Sequence, residues 1–110
     1  MGKFVITKRA NGDFQFNLKA GNGQTILSSE GYSTKSACTG GIVSVKTHSQ
    51  DESKFDKKES SNGKPYFNLK ASNGQIIGAS EMYESTSARD SGIAAVKSNA
   101  PDAAVDDQTS

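Results

Sequence analysis

Cysteine and histidine, two residue types commonly used for nucleophilic and metal chemistry, each occur once in this chain of 110 residues. Cys38 and His48 are ten positions apart. On an α-helix, ten residues span about 15 Å, which is well beyond hydrogen-bond reach, so the two are not expected to form a nucleophile and its base. One cysteine and one histidine also cannot supply the usual ligands of a zinc site. Neither residue is therefore predicted to be catalytic or to bind a metal. The sequence also has no Gly-rich phosphate loop, Ser-His-Asp set or dinucleotide fingerprint, so we predict no cofactor.

Two glutamates form the one remaining arrangement that could do acid–base chemistry. Glu30 and Glu81 recur at the same point of an internal repeat, each directly after a serine. Two carboxylates can act as a general acid and a general base when they lie close together. Each can equally be a turn or helix-start residue near the positive end of a helix dipole. An enzyme that uses Glu30 and Glu81 is therefore a third hypothesis, after two kinds of binding.

The internal repeat organises the whole sequence. Sliding the chain by 51 positions aligns residues 16–49 with 67–100, and 18 of the 34 aligned pairs are identical. The stretch Phe-Asn-Leu-Lys-Ala at 16–20 returns unchanged at 67–71. A unit of about 50 residues buries little surface alone, so the two copies are expected to share one core.

The alignment also weighs against chemistry at the single cysteine and histidine. Cys38 aligns with Arg89 and His48 with Asn99, so neither belongs to a chemical device that both copies carry. Cys38 is most simply interpreted as a small buried hydrophobic residue.

Three strands are predicted at the start of the first copy. Residues 3–8 are rich in β-branched and aromatic side chains, and residues 14–20 alternate between apolar and polar. Asn-Gly at 11–12 and at 22–23 supplies the positive φ angles of tight hairpin turns, and a short third strand follows over 24–28. The pattern predicts an antiparallel meander.

After Tyr32 the hydrophobic pattern changes to the period of a helix. Ser33 or Thr34 can cap the first turn, and the helix should end near 47–48. The second copy repeats the pattern with a helix over about 85–98. The inward faces are expected to carry Ala37, Cys38, Gly41, Ile42 and Val45 in the first helix, and Ala88, Gly92, Ile93 and Val96 in the second. A glycine in mid-helix lowers helix stability, so Gly41 and Gly92 are expected to be fixed by close packing on the sheet. Tyr32 and Tyr83 are expected to fill the junction between sheet and helix.

The two copies differ in the strand that opens each of them. In the second copy Asp56 and Lys57 replace Val5 and Ile6, and a charged strand of this kind suits a sheet edge. After the second helix, residues 104–106 are a candidate short edge strand.

Polar residues kept in both copies give the binding hypotheses. Asn17 and Lys19 match Asn68 and Lys70, and they alternate with the apolar residues of the repeated strand. If the helices cover one side of the sheet, these four residues lie on the other, with Gln15 and Tyr66 beside them. Such a face could bind an extended peptide, a single-stranded nucleic acid or a small anion, with lysines for charge and Tyr66 for stacking. The alternative is a set of cross-strand pairs on a solvated sheet face.

Composition limits the partners. The net charge of +1 argues against nucleic-acid binding without excluding it, because phosphate contacts usually require a clear basic excess. No apolar run approaches the roughly 20 residues that span a bilayer, and no signal peptide is recognisable. We expect a cytoplasmic protein without a membrane partner, and a protein partner is possible. The chain should form one domain over 1–110, with repeats of about 2–51 and 53–107.

The repeated motifs resemble those of the YegP-like family, small bacterial proteins of unknown function built from tandem repeats. Both copies carry Phe-Asn-Leu-Lys-Ala, then Asn-Gly-Gln and Ile, Ser-Glu, a Tyr before the helix, and Gly-Ile with Val-Lys on it. The resemblance implies an α+β fold of two β-β-β-α-β repeats that form one antiparallel sheet. It also implies two helices packed on one face and exchange of the C-terminal strands. It brings no catalytic residue, cofactor or ligand.

Overall fold

A computed structural model describes residues 2–109 and shows seven strands and two α-helices in this part of the chain. In chain order, the elements are β1 (Lys3–Lys8), β2 (Phe14–Lys19), β3 (Thr25–Ser28), α1 (Lys35–His48), β4 (Phe55–Glu59), β5 (Pro65–Lys70), β6 (Ile76–Ala79), α2 (Thr86–Asn99) and β7 (Ala104–Asp107). Short 3₁₀ turns at Glu52–Lys54 and Ala100–Asp102 lead into β4 and β7. The α+β class and the tandem repeat are confirmed.

Local chemistry fixes the ends of these elements as predicted. The Thr34 hydroxyl accepts a hydrogen bond from the Ala37 amide at the start of α1, and Ser85 does the same for Ala88 at the start of α2. Gly12, in the first hairpin turn, has a φ of 92°, a conformation that favours glycine over residues with a side chain.

A single sheet holds all seven strands in the order β4-β5-β6-β3-β2-β1-β7. The two repeats join at its centre, where Ser28 on β3 pairs with Ala79 on β6. Exchange of the strands that follow the helices is confirmed, because β4 follows α1 but pairs with β5, and β7 follows α2 but pairs with β1.

The β1–β7 pair is parallel, whereas every other strand pair in the described chain is antiparallel. In the second repeat, the exchanged strand β4 pairs directly with β5. In the first repeat, the corresponding place beside β2 is taken by β1, so the exchanged strand β7 lies outside β1. Lys3 pairs with Ala104, the first residue of each strand, so the two strands start at the same end of the sheet and run in the same direction. The result is an antiparallel sheet with one parallel edge.

Both helices pack on the same face of the sheet and enclose one core. Large side chains from both repeats are fully buried there, among them Phe4, Phe16, Leu18, Phe67, Leu69, Val45 and Val96. Cys38, Gly41, Ile42 and Val45 are buried on α1 as predicted, but the inward position predicted for Ala37 is wrong because this residue is exposed. Ala37 precedes Cys38 by one position, which turns it by about 100° around the helix and away from the core.

Each helix is seated on the sheet through a tyrosine that fits against a glycine. A Cβ atom added at Gly41 would lie 2.8 Å from Cζ of Tyr32 and 3.1 Å from Cε2 of Phe16. Gly92 and Tyr83 repeat the arrangement, since a Cβ atom added at Gly92 would lie 2.7 Å from Cζ of Tyr83. The tyrosine rings stack on the core phenylalanines, and burial raises the pKa of both phenols. The missing Cβ therefore makes room for the tyrosine that fills the sheet–helix junction.

Candidate binding face

Strand pairing defines the face of the sheet that lies opposite the helices. Side chains alternate along a strand, so the neighbours of the buried Phe16 and Leu18 point away from the core. One row of paired residues crosses all seven strands on that side, in the order Asp56, Asn68, Ala79, Ser28, Asn17, Val5 and Asp106. The same side carries Lys3, Thr7, Gln15, Lys19, Lys58, Tyr66 and Lys70. We refer to it as the open face.

The two central strands carry small side chains at the middle of the open face, and we refer to this strip, with the residues that border it, as the trough. Its floor consists of Ser28 and Ala79, two small side chains on the central strands. Asn17 on β2 and Asn68 on β5 border the floor on either side. Three inter-strand spacings separate β2 from β5, so the two asparagine Cα atoms lie roughly 14 Å apart. That width suits an extended chain lying along the strands.

The two asparagine side chains have amide groups available for a ligand. Neither Asn17 nor Asn68 makes a side-chain hydrogen bond with another residue in the range 2–109. Asn68 is only 7% exposed, yet no fully buried side-chain N or O atom of the described chain lacks a partner. The amide tip of Asn68 therefore reaches solvent from an otherwise buried side chain. Each amide offers both a donor and an acceptor at the border of the trough.

The two matched lysines of the open face are not equivalent. Nζ of Lys70 lies 3.0 Å from Oδ2 of Asp56, and Nζ of Lys58 lies 3.4 Å from the same oxygen. The hydrogen bond from Lys70, helped by Lys58, lowers the pKa of the Asp56 carboxyl. Lys19 has no ion-pair partner among the described residues, because Val5 stands where the second copy has Asp56. Lys19 is thus the lysine that a bound anion can use without breaking an existing pair.

All five predicted site residues lie on the open face: Asn17, Lys19, Tyr66, Asn68 and Lys70. Tyr66 pairs with Lys58 near one end of β5, and Gln15 occupies the matching position on β2. Gln15 is already engaged, since its Oε1 accepts a hydrogen bond from the Arg9 side chain. That these residues bind a partner stays a prediction.

Sequence reasoning missed the trough and the acidic partner of the lysines. Ser28 and Ala79 could not be placed together from the sequence, because no local signal shows that β3 pairs with β6. Asp56 was recognisable as a charged strand residue, and the matching Val5 in the other copy was the available signal that Lys19 and Lys70 would differ.

The two repeated glutamates are well separated. Antiparallel pairing of Ser28 with Ala79 places Glu30 and Glu81 beyond opposite ends of the β3–β6 pair. Four residue rises separate them along the strands, which corresponds to roughly 13 Å. Glu30 lines a cavity of about 380 Å³ with Tyr32 and residues 74–77, and Glu81 does not line it. The arrangement does not support acid–base chemistry shared between these two carboxylates.

His48 has a structural position at the end of α1. Its Nδ1 lies 2.8 Å from the Ser44 carbonyl oxygen, to which it donates, and its Nε2 accepts from the Ser72 amide at 3.2 Å. The matching Asn99 donates from Nδ2 to the Ala95 carbonyl in the same way, at 2.8 Å. Cys38 is fully buried, and burial raises the pKa of its thiol. The hydrogen bond that His48 and Asn99 both make at a helix end therefore accounts for the position of His48 better than catalysis does.

The repeat supplies a direct test of that role. Replacing His48 with Ala removes the bonds to Ser44 and Ser72, so we expect a loss of about 1 kcal/mol in the free energy of unfolding. His48→Asn introduces the residue that stands at position 99 and keeps the helix-end bond, so it should lose less than half of that amount. Urea denaturation of the two variants measures both values. Equal losses would contradict the shared role.

No cluster of three or more His, Cys, Asp or Glu side chains that could hold a metal ion occurs within residues 2–109. Neither described helix is long and apolar enough to cross a membrane.

Comparison with known proteins places this geometry in a family. A family model described as "Domain of unknown function (DUF1508)" matches residues 10–56 and again 60–107. The UPF0339 protein YegP of Escherichia coli is 50% identical over 108 residues, which is 98% of each chain. A UPF0339 protein of Bordetella pertussis is 47% identical over 109 residues, or 99% of this chain and 98% of that one.

Two solved structures show the same fold. The solution structure of a UPF0339 protein from Shewanella oneidensis matches with a TM-score of 0.93 at 50% identity, covering 98% of this chain and 92% of that one. The solution structure of yegP from E. coli, called a protein of unknown function, matches with a TM-score of 0.94 at 50% identity over 98% and 93% of the two chains. The names of these relatives mention no enzymatic activity.

Proposed function

Since this chain belongs to the DUF1508 family, an uncharacterised family with bacterial members, we propose that it is a non-catalytic module that binds an extended segment of a partner protein on its open face. The trough between Asn17 and Asn68 carries this proposal. An extended backbone needs donors and acceptors along its length, and each asparagine amide supplies one of each. The small floor of Ser28 and Ala79 leaves space for such a chain.

The non-catalytic part of the proposal is supported by the residues that could have done chemistry. Glu30 and Glu81 lie at opposite ends of the central strand pair, His48 is bonded at a helix end, and Cys38 is enclosed in the core. A lone buried cysteine suits a reducing compartment, so a cytoplasmic location is part of the proposal. The repeat bounds of 2–51 and 53–107 also stay a proposal.

A capture experiment with matched variants tests the binding face. Immobilised protein is incubated with lysate of the producing bacterium, and captured proteins are quantified by mass spectrometry. The test variant is Asn17→Ala with Asn68→Ala. The control is Val43→Ser, which removes a 62%-exposed apolar side chain from α1. We expect a partner that the wild type and the control retain and that the double variant loses at least fivefold.

The opposite pattern would contradict the proposal, with capture lost in Val43→Ser and kept in the asparagine variant. A partner found in this way should then shift the amide resonances of the trough residues in a heteronuclear NMR titration. Shifts confined to the helices would place binding elsewhere.

Single-stranded nucleic acid is the second candidate ligand for the same face. Among the open-face strand residues, the lysines at 3, 19, 58 and 70 outnumber the aspartates at 56 and 106 by four to two, although the whole chain is nearly neutral. Tyr66 offers a ring on which a base can stack. The excess of lysines favours an anionic chain over a neutral one, and the tyrosine ring favours a ligand with exposed bases.

The unequal lysines give this alternative a specific expectation. Lys19→Gln should weaken binding of a fluorescent oligothymidylate about fivefold. It should also reduce the slope of log affinity against log salt concentration by about one. Lys70→Gln should weaken binding less than twofold, because Asp56 already neutralises Lys70. Fluorescence anisotropy at several salt concentrations measures both effects. Equal effects of the two substitutions, or no binding by the wild type, would count against a nucleic-acid ligand.

A further inference from the structure

The two outer edges of the sheet are treated differently, although the repeats are alike. On the first repeat, β7 pairs in parallel with β1 over Lys3 to Ile6, and the Gln108 amide donates to the Ile6 carbonyl at 3.0 Å. The same four positions of the second repeat are Lys54, which ends the 3₁₀ turn, and the first three residues of β4, Phe55 to Lys57. β4 is the last strand on its side, and no described strand covers it. The amides of Lys54 and Phe55 donate to Asp51 and Glu52 within the 3₁₀ turn, and beyond them no described strand pairs with the outer side of β4, where β1 has a partner.

A cavity accompanies this unfilled edge. It has a volume of about 110 Å³ and lies between Lys57 on β4 and Ile93 and Ala94 on α2. In the first repeat, the residue that matches Lys57 is Ile6, which pairs with Asp107 of β7. The cavity therefore lies beside the edge that a strand equivalent to β7 would occupy.

The charges along β4 indicate which side chains such a strand must carry. β7 would place Val105 opposite Phe55, Asp106 opposite Asp56 and Asp107 opposite Lys57. Val105 and Asp107 fit these partners, but Asp106 would lie beside Asp56 and compete with it for Lys70 and Lys58, which already bind the Asp56 carboxylate. Lys57 can accept an acidic partner because its present one, Asp90, also has Arg89 at 3.3 Å. This chain's own β7 is thus a poor occupant, and one changed residue would improve it.

From this pattern we infer that the β4 edge is a strand-addition site for an extended segment of another protein, which pairs in parallel with β4. The segment carries an apolar residue opposite Phe55, a basic residue opposite Asp56 and an acidic residue opposite Lys57. Main-chain hydrogen bonds supply the affinity of such sites, and alternate side chains supply the specificity. The charges on β4 exclude apolar strands and so prevent unspecific pairing of the edge.

A peptide based on β7 tests the inference on the full-length protein. The probe is the capped heptapeptide of residues 103–109 with Asp106→Lys, and the comparison peptide keeps Asp106. We expect the Lys-containing peptide to shift the backbone amide resonances of residues 54–59 and to bind three- to tenfold more tightly than the unchanged one.

Two protein variants sharpen the result. Asp56→Asn should abolish the difference between the peptides, because the Asp106→Lys change acts opposite Asp56, whereas Lys19→Glu on the open face should leave the difference intact, which separates this site from the trough. The inference is overturned by equal affinities, by shifts at residues 3–6 that indicate replacement of β7, or by no shift at millimolar peptide.

Discussion

Gly41→Ala is expected to destabilise the protein by about 2 kcal/mol, although alanine is the better helix former. The added methyl group would lie 2.8 Å from the Tyr32 ring and 3.1 Å from Phe16, inside the contact distance of carbon atoms. Because both rings stack in the core, α1 has to move away from the sheet. Thermal unfolding should shift down by roughly 10 °C, at about 4–8 °C per kcal/mol for a domain of this size.

The neighbouring glycine is the matched control. A Cβ atom at Gly40 meets nothing within 4 Å, and the aligned residue of the other repeat is Ser91, which already carries a side chain. Gly40→Ala should therefore stabilise the protein by about 0.5–1 kcal/mol through the helix preference alone. Destabilisation by both substitutions to the same extent would mean that helix flexibility, and not the tyrosine contact, decides the effect.

A second substitution tests the contact itself. Tyr32→Phe removes the hydroxyl group that the new methyl group would meet first, so it should recover part of the loss in the Gly41→Ala background. A double-mutant cycle should give a favourable coupling of about 0.5–2 kcal/mol. Gly92 with Tyr83 should behave in the same way in the second repeat.

Signals that act over a few residues made most of the elements predictable. Thr34 and Ser85 cap helices by bonding to amides three residues later, and the Asn-Gly turns close hairpins within four residues. The alternation along β2 likewise placed Asn17 and Lys19 on the face opposite the core. Each of these outcomes depends on the backbone preferences of neighbouring residues.

Pairing between distant segments is the part that local signals do not contain. The bond between Lys70 and Asp56 requires the register of β4 against β5, and the trough requires β3 to meet β6. The parallel course of β7 depends on β1 having taken the place beside β2. These features decide the candidate site, because they leave Lys19 unpaired and put small residues between the two asparagines.

The differences between the copies follow from their positions in the sheet. Val5 is 4% exposed and is flanked on both sides, by Asn17 of β2 and Asp106 of β7, whereas Asp56, its counterpart, stands on an uncovered edge strand. An apolar edge tends to pair unselectively with other chains, whereas a charged edge pairs only with a strand of complementary charge. The substitutions that make the second repeat diverge are thus those that an open edge requires.

Removal of β7 should leave β1 as an uncovered apolar edge strand, whereas the other edge strand, β4, is charged. A chain that ends at Ala103 loses the backbone pairing of residues 104–107 and uncovers Val5, so we expect a loss of about 2–4 kcal/mol. We also expect concentration-dependent self-association in sedimentation velocity at micromolar concentrations, where full-length protein serves as the reference.

Lowering the pH should not mimic the deletion above about pH 3, because hydrogen bonds from Lys35 and Thr109 hold the pKa of Asp107 at about 2. That ion pair is present above this pKa and is lost only as the pH falls through it.

Val5→Lys in the shortened chain separates exposure of the edge from loss of stability. A lysine there gives β1 the charged character of β4, and it points to the open face, where solvent can reach it once β7 is absent. Self-association should disappear while most of the stability loss remains, because a charge blocks pairing between chains but does not restore the missing backbone bonds. If the shortened chain stayed as monomeric as the full-length protein without this substitution, β7 would serve only to stabilise the fold, and the charges on β4 would need another explanation.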